Sequence, residues 1–366
     1  MKPDRFRSLL DAKGPFVSIY FDDSHDTADA GAQLDARMRD ARKHLEEQSV
    51  DAAVIEAIDA AVRAAHPPIG RSGRAVVAAG SRIVLDEHLL TPPVSTELRV
   101  SELPYLLPVI THGALHTGYL TVAVDHTGAD IAVHDGRSRT ETVTGSGHPV
   151  HKAHKAETAG YGGPQGRVDE AVRKNLREVA ERITHLVDET GAAVVFLAGD
   201  ARAELAAELP ERVAERSVLV RGGGRTGGTD EAEVHREIGA EFAARRQAVI
   251  DDAAARFAAG RGTGLAVEGL ADVTAALRDG AVETLIIGDL GEATLVADHD
   301  QLTLIGTDAD SVSALGGSPD RVLRADEALP MLAVATGATL VRSGDGLTPA
   351  DGVAAVLRYA EMSSAG

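Results

Sequence analysis

The chain has 366 residues, a net charge of −19, 44% hydrophobic and 3% aromatic residues, and no cysteine. The absence of cysteine excludes disulfides, thiolate zinc sites and cysteine nucleophiles, and the acidic charge argues against binding of free duplex DNA, which depends on phosphate neutralisation by Lys and Arg. The length predicts two or three domains, and because no apolar run approaches a bilayer span we expect a cytoplasmic protein without membrane contact.

The first domain is predicted to span residues 1–115 and to mix strands with helices. Apolar spacing predicts a strand at 15–21, helices at 30–48 and 51–65, and strands at 74–79 and 82–90. Gly80-Ser81 fits a tight hairpin connection between the last two strands. Prolines at 92, 93, 104 and 108 interrupt the pattern before a boundary near residue 115.

The second domain is predicted at residues 116–229. Alternating apolar residues predict an antiparallel meander at 119–124, 130–134 and 139–144, followed by a long loop at 145–166 that is rich in Gly, His, Lys and Pro. A helix follows, because apolar residues recur at helical spacing at Val168, Val172, Leu176, Val179, Ile183 and Leu186. Gly191 is a plausible end of this helix, and a strand, a helix and a strand follow at 193–198, 201–208 and 217–220.

The third domain is predicted at residues 230–366. Helical patterns cover 230–257, 270–277 and 325–335, and strand patterns cover 282–287, 293–297, 302–305, 339–341 and 353–357. This alternation of helices and strands predicts an α/β domain.

Basic residues are concentrated around the loop and the helix of the second domain. Between His151 and Arg182 they outnumber the acidic ones: Lys152, Lys155, Arg167, Arg173, Lys174, Arg177 and Arg182 against Glu157, Asp169, Glu170, Glu178 and Glu181. A locally positive element on an acidic body suits docking at one defined RNA site. A solvated helix face with mixed charges is the other interpretation.

The end of the loop reads Tyr161-Gly162-Gly163-Pro164-Gln165-Gly166-Arg167. Glycines let a backbone approach RNA closely, and the Gln165 side chain offers a carbonyl and an amide to an ester or to base edges. The same residues also fit an ordinary turn.

The order of these features resembles that of the archaeo-eukaryotic class I release factors. In that family a meander precedes a basic loop with a Gly-Gly-Gln tip and a helix rich in Arg and Lys, as the meander 121–144, the loop 151–165 and the helix 167–180 do here. Residues 270–287, 337–340 and 356–359 are similar to the family's C-terminal segments. The resemblance covers about residues 116–366 and implies an α/β fold of three domains, the second and third like the middle and C-terminal domains of these factors.

Two departures from the family lie where its chemistry would occur. Pro164 separates the glycine pair from Gln165 and restricts the backbone of both neighbours, so the loop cannot copy the path of Gly-Gly-Gln. Hydrolysis depends on placing a water within about an ångström. The first 115 residues also lack the Asn-Ile-Lys-Ser stop-codon motif and the family's cysteine, so stop-codon reading is not expected.

A release-factor architecture without these motifs resembles the bacterial branch of the family, the Balon-like ribosome hibernation factors. This resemblance implies binding in the ribosomal A site with the loop toward large-subunit rRNA at the peptidyl-transferase centre, protection of idle ribosomes, and elongation factor Tu as a partner. No cofactor, metal or catalytic residue is expected. The alternative is a peptidyl-tRNA hydrolase acting in ribosome rescue, with Gln165 positioning water. The residues expected to contact RNA are Lys152, His154, Lys155, Gly162, Gly163, Pro164, Gln165, Gly166, Arg167, Arg173, Lys174 and Arg177.

Three other patterns have a possible functional meaning. Gly222-Gly223-Gly224-Arg225-Thr226-Gly227 fits a dinucleotide-binding turn, but the expected acidic residue is missing and an interdomain hinge is the favoured interpretation. His148, His151 and His154 recur every third residue but lack a recognisable additional metal ligand, so exposed or RNA-contacting histidines are the other interpretation. Asp22-Asp23 at a strand end fits either a cation site or solvated turn acids.

Overall fold

The computed structural model describes residues 1–25, 27–64, 71–113, 118–134, 138–147, 164–225 and 231–359. Mixed α/β structure fills these ranges. The α-helices are α1 (Ala30–Glu47), α2 (Ala52–Ala64), α3 (Leu107–His112), α4 (Pro164–Thr190), α5 (Arg202–Glu208), α6 (Glu211–Ala214), α7 (Glu231–Gly260), α8 (Leu270–Arg278), α9 (Ala309–Ala314) and α10 (Ala325–Thr336). The strands are β1 (Phe16–Asp22), β2 (Gly73–Ala79), β3 (Arg82–Leu89), β4 (Glu97–Ser101), β5 (Tyr119–Asp125), β6 (Gly128–His134), β7 (Ser138–Thr144), β8 (Val194–Ala198), β9 (Ser217–Leu219), β10 (Ala266–Glu268), β11 (Val282–Ile287), β12 (Thr294–Asp298), β13 (Ile305–Gly306), β14 (Pro319–Arg324), β15 (Thr339–Arg342) and β16 (Val353–Leu357).

The N-terminal sheet is antiparallel throughout, in the order β3-β2-β1-β4. Its central strand β1 is buried on both faces, since side chains alternate across a strand. Val17, Ile19 and Phe21 pack with residues of α1 and α2. Phe16 and Tyr20 point the other way, into a cluster that also contains α10 and β11 residues. One β-strand therefore joins two hydrophobic cores.

The C-terminal segment supplies the second of these cores. Its main sheet has the order β10-β16-β11-β15, with β11 and β15 parallel, and a smaller sheet has the order β13-β12-β14. Helix α10 is buried along most of its length between these elements and the N-terminal sheet. On the other face of the main sheet, Ala253 and Phe257 of α7 pack against Ile286 and Val341. The first and last parts of the chain consequently fold as one compact unit.

The middle of the chain forms a second compact unit that extends to Glu241. Its sheet has the order β7-β6-β5-β8-β9, in which the predicted meander β5-β6-β7 is antiparallel and β5, β8 and β9 are parallel. The apolar face of helix α4 packs against this sheet. The predicted division at residues 115 and 229 stays a prediction. No helix within the described ranges has an apolar stretch that could cross a bilayer.

The main helices and strands predicted from apolar spacing are confirmed, and the differences have local causes. The proline-rich stretch before residue 115 contains β4 and α3, which the sequence did not predict. Pro108 sits in the first turn of α3, where its missing N–H costs no hydrogen bond. The short elements α6, α9, β10 and β14 were also missed, because a few residues show too little periodicity.

A buried ion network ties the N-terminal sheet to the C-terminal segment. The Arg99 guanidinium of β4 lies 2.8 Å from an Asp326 carboxylate oxygen and 3.2 Å from a Glu327 carboxylate oxygen at the start of α10. It also stacks 3.6 Å from the ring centroid of Tyr105. Burial raises the pKa of Glu327, and Arg99 opposes that shift. Glu327 therefore depends on a cation from a distant part of the sequence, whereas Asp326 also pairs with Arg324, 3.1 Å away.

Replacement of Arg99 by Ala is expected to destabilise the protein by roughly 2 to 4 kcal/mol, because it leaves the buried Glu327 carboxylate without its cation. Urea unfolding would measure the free energy. Arg39→Ala on the exposed face of α1 is the control and should change stability by less than about 0.5 kcal/mol. Equal stability of the two variants would show that the network contributes nothing.

Candidate nucleic-acid interface

The residues expected to contact RNA divide into two groups in the structure. Lys152, His154, Lys155, Gly162 and Gly163 lie outside the described residues, as do the metal candidates His148 and His151. Pro164, Gln165, Gly166 and Arg167 belong to helix α4 by their backbone, and their side chains are outside the description. Arg173, Lys174 and Arg177 are described in full, further along the same helix.

Helix α4 begins earlier than the sequence predicted. It runs for 27 residues from Pro164, so the residues expected at the end of a loop form the first turn of a helix. Proline is favoured at this position because its φ is preset and its missing N–H would have no intrahelical partner. The same Pro164 that departs from the Gly-Gly-Gln motif thus starts the helix.

Helix α4 packs against the core of its sheet from Val172 onward among its described side chains. The stripe of Leu176, Val179, Ile183 and Leu186 is buried on the sheet. Among the described side chains of α4, burial begins at Asn175 and Leu176. Pro164 lies eleven residues before Asn175, which is roughly 16 Å at 1.5 Å per residue.

The cations of α4 differ in their partners along the helix. Arg173 and Lys174 are exposed, and neither makes an ion pair with another described residue. Arg177 lies 3.3 Å from a Glu208 oxygen. Arg182 donates two hydrogen bonds to the Glu141 carboxylate, at 2.5 and 2.6 Å. Intramolecular neutralisation therefore increases away from the start of the helix.

Acidic residues of α4 lie among these cations. Asp169 and Glu170 are exposed in the turns before Arg173. Glu178 accepts hydrogen bonds from the backbone and the hydroxyl of Ser146, and these bonds hold the pKa of its carboxyl below the usual range. The helix face is a mixed one, in which Arg173 and Lys174 make no ion pair with a described residue, although the charge of Lys174 also lowers the pKa of Glu178.

The three residues that follow β7 are held by hydrogen bonds, two of them to α4 and one to the β5–β6 turn. Gly145 N–H donates to Thr127 O at 2.9 Å, Ser146 N–H to Glu178 at 2.8 Å, and Gly147 N–H to Asn175 Oδ1 at 2.7 Å. We call this set of contacts, made by Gly145, Ser146, Gly147, Asn175 and Glu178, the loop-base clamp. Sequence reasoning missed it. The available signal was Asn175, a polar residue on the apolar stripe of α4.

The glycine-rich run after β9 serves the same unit. Gly222 and Gly223 have positive φ, and Arg225 then reaches the β5–β6 turn, where it lies 3.1 Å from Asp125 and 3.5 Å from Asp130. The end of this pattern, at residues 226–230, lies outside the described residues, so whether it forms a dinucleotide-binding turn stays a prediction. The described part of the run thus holds a hairpin turn in place.

The two other patterns have different outcomes. Asp23 is buried, 3.8 Å from Arg74, which corrects the interpretation of a solvated turn acid. Burial raises its pKa and Arg74 opposes that shift. The cation beside Asp23 also disfavours a metal ion there. In the part of the chain that the structure describes, no three His, Asp or Glu side chains form a group that could hold a metal.

Known proteins are similar to this chain in sequence and in structure. Residues 118–263 match the profile of the bacterial archaeo-eukaryotic release factor family 2. The chain is 46% identical over 371 residues to two Mycobacterium tuberculosis proteins, Uncharacterized protein MT2704 of strain CDC 1551 / Oshkosh and Uncharacterized protein Rv2629 of strain H37Rv, covering 100% of this chain and 99% of each relative. A ribosome-bound archaeal Pelota, in a structure with ABCE1, is 14% identical with a TM-score of 0.41, over 98% of this chain and 94% of that one.

The fold and the sequence profile define a multidomain α/β protein of the release-factor type. This chain belongs to the bacterial branch of the archaeo-eukaryotic release factor family. Membership of that family indicates a ribosome-associated function.

The β5–β6 turn should make stability depend on acid pH. Burial favours a raised pKa for Asp125, but hydrogen bonds from Thr127 and the charge of Arg225 outweigh it and hold the pKa below the ordinary 3.8. The stabilisation is therefore present above about pH 4 and is lost as pH falls through the folded-state pKa. Asp125→Asn should cost roughly 1 kcal/mol at pH 7, and its difference from wild type should shrink below pH 4 in urea unfolding. A difference that stays constant with pH would contradict this.

Proposed function

We propose that the protein is a ribosome hibernation factor. It binds in the ribosomal A site, directs the Gln165 end of its loop toward large-subunit rRNA at the peptidyl-transferase centre, and protects idle ribosomes in the cytoplasm. Family membership supports the ribosome as the partner. The choice of hibernation rests on the residues around Gln165 and on the charges of α4.

The cations at Arg173 and Lys174 are the observation that carries this proposal. In this unit Arg177, Arg182, Arg139 and Arg212 lie within ion-pair distance of intramolecular carboxylates. Arg173 and Lys174 are exposed and pair with no described residue. Phosphate groups of RNA are the partners that such side chains suit best.

The net charge of −19 gives these cations an orienting role. Most of an acidic surface is repelled by rRNA, so only an approach that brings the cationic segment forward is favourable. The segment lies directly behind the first turns of α4 and hence behind Gln165. Electrostatic attraction therefore favours an approach in which the N-terminal end of α4, with Gln165, meets RNA first.

Pro164 supports binding over hydrolysis. Water must be held within about an ångström of the ester for efficient attack, and the family places it with a Gly-Gly-Gln backbone. Here Gln165 follows a proline and lies in the first turn of a helix, where the backbone has a different path. The Gln165 amide can still contact RNA, because many backbone conformations allow a hydrogen bond to RNA and few hold a water in line with an ester.

Elongation factor Tu belongs to the same proposal as a partner. Release factors of this type travel with a translational GTPase, and the resemblance extends to the C-terminal part of the chain. The proposal therefore includes delivery to the ribosome by elongation factor Tu.

The double charge reversal Arg173→Glu, Lys174→Glu should weaken binding to vacant ribosomes. Co-sedimentation at a series of salt concentrations would show a lower affinity and a slope of log affinity against log salt that is smaller by roughly 2, one for each lost phosphate contact. Arg39→Glu, Lys43→Glu on exposed α1 changes the net charge equally and is the matched control. An equal loss of affinity in both double variants would show that net charge causes it, and would contradict a specific role for α4.

Ribosomes that hold labelled peptidyl-tRNA separate hibernation from rescue. Under the proposal, the wild-type protein leaves the ester intact, and Gln165→Ala changes only its affinity for the ribosome. Release of the peptide by the wild type, abolished in Gln165→Ala, would establish the peptidyl-tRNA hydrolase instead. Ribosomes without added protein give the background rate.

A further inference from the structure

A groove in the C-terminal segment has no part in the proposed function. We propose that this groove binds an arginine side chain presented by a protein partner. It lies at the edge of the main C-terminal sheet where β11 ends and β16 begins. Its occupancy does not depend on the ribosome, so this partner would bind whether or not the protein is a hibernation factor.

The topology of the main sheet creates the groove. Strands β11 and β16 are antiparallel, with Ile287 paired to Val353, so the segment after β11 and the segment before β16 meet at one edge. Helix α8 begins at the same edge, where Leu270 N–H donates to the Asp351 carboxylate at 3.1 Å. Ligands of α/β proteins commonly bind in a crevice outside the carboxyl ends of strands, and β11 ends here.

The groove combines apolar surface with polar groups. It is open to solvent, and its volume of about 640 Å³ falls within the roughly 300 to 1,000 Å³ of small-ligand sites. Three of its lining residues are apolar: Leu270, Leu290 and Ala293. Three are polar: Asp289, Thr307 and Asp351. A ligand with an apolar stem and a cationic head suits such a lining.

Close backbone packing brings Asp289 and Asp351 to the same groove. A Cβ at Gly352 would lie 1.8 Å from Asp289 O, so only glycine lets these two segments approach so closely. Gly288 N–H donates to Gly352 O at 2.7 Å and joins the same segments. The two aspartates therefore stand on backbone that is fixed on both sides of the groove.

The carboxylates of Asp289 and Asp351 are oriented but not neutralised. Asp289 Oδ1 accepts from Gly291 N–H at 3.0 Å, and Asp351 Oδ2 accepts from Leu270 N–H at 3.1 Å. Throughout the described ranges, neither carboxylate makes an ion pair with a cation of the protein. Both residues are exposed. One oxygen of each carboxylate is therefore available to a ligand.

Charge at the groove favours a cation from outside. Burial lowers the pKa of Arg342 and the charge of Asp289 opposes that shift, but this guanidinium donates to Gly288 O at 2.7 Å. Asp272, exposed in the first turn of α8, adds a further negative charge. The groove thus presents negative charge beside apolar surface, and its complement is a basic side chain with an aliphatic stem.

A guanidinium meets these requirements better than an ammonium. It is planar and offers five N–H donors, so it can bond carboxylate oxygens from two different segments at once. The aliphatic part of an arginine can lie on Leu270 and Leu290. The remaining apolar surface at Ala293 suits a residue next to the arginine in a peptide chain, which points to a protein partner.

Binding of small probes to the full chain, followed by ¹H–¹⁵N NMR, tests the groove. N-acetyl-arginine amide should shift the amide signals of Gly291, Thr307 and Gly352 saturably at millimolar concentrations. N-acetyl-citrulline amide has nearly the same shape without the charge and should leave them in place. The peptide acetyl-Leu-Arg-Leu-amide should bind roughly tenfold more tightly than the single residue, because its leucines add apolar contact.

Asp289→Asn and Asp351→Asn should each weaken binding of the arginine probe by roughly tenfold. Asparagine can accept the same backbone hydrogen bonds, and it tolerates the positive φ of residue 351, so both variants should fold. Asp320→Asn on β14 removes the same charge from another exposed position and is the matched control. It should bind the probe like the wild type.

Four results would overturn the proposal, and the first three need no variant. Equal shifts with the citrulline probe would show that the groove does not recognise charge. Equal or tighter binding of N-acetyl-lysine amide would exclude a preference for guanidinium. A tripeptide that binds no better than N-acetyl-arginine amide would indicate a site for a small guanidinium compound and not for a protein. Equal weakening by Asp320→Asn would assign the effect to net charge.

Discussion

Burial of the apolar stripe of α4 on the middle sheet is the constraint on which the candidate site depends. The stripe fixes the rotation of the helix about its axis, so Arg173 and Lys174 face outward and Asn175 faces the sheet. It also fixes the direction of the helix, which begins at Pro164. Clamp, cations and Gln165 all occupy places on this one rigid element.

Whether a cation of α4 forms an ion pair depends on whether a carboxylate lies within reach of its side chain. Arg182 finds Glu141 on β7, and Arg177 finds Glu208 on α5, because both lie over the sheet or its neighbouring helix. Arg173 and Lys174 lie on the exposed face of the same helix. Exposed ion pairs contribute little to stability, so partners for these two would have cost the fold almost nothing. Their absence among the described residues fits a role for the charge outside the molecule.

The sequence predicted those parts of the fold that have a local cause. Leu176, Val179 and Ile183 recur at helical spacing, and the alternation in β5 and β6 has period two, so helix and meander follow from the pattern. The association of the first and last parts of the chain has no local cause. Phe16 and Leu329 share a core although more than 300 residues separate them, and neither position differs from an ordinary core position in the sequence.

The candidate site was predictable to a similar degree. The sequence indicated the cations and Gln165, because basic residues are concentrated along this loop and helix and glycines lie next to Gln165. The clamp could not be foreseen from spacing alone, since Asn175 binds Gly147 across 28 positions. A polar residue on an apolar stripe still predicts a buried hydrogen-bond partner in general terms. The identity of that partner depends on the register of α4 against the sheet, which only the folded unit defines.

Pro164 links the local structure to the choice between binding and hydrolysis. A glycine at this position would give the backbone before Gln165 many conformations, among them one that could present its amide to a water beside an ester. Proline removes most of them and starts a helix whose direction the sheet has already set. The same residue that makes catalytic positioning difficult thus makes the first turn of α4 rigid. A rigid, cation-backed end suits a factor that stays bound to an idle ribosome, because little conformational entropy is lost when it docks.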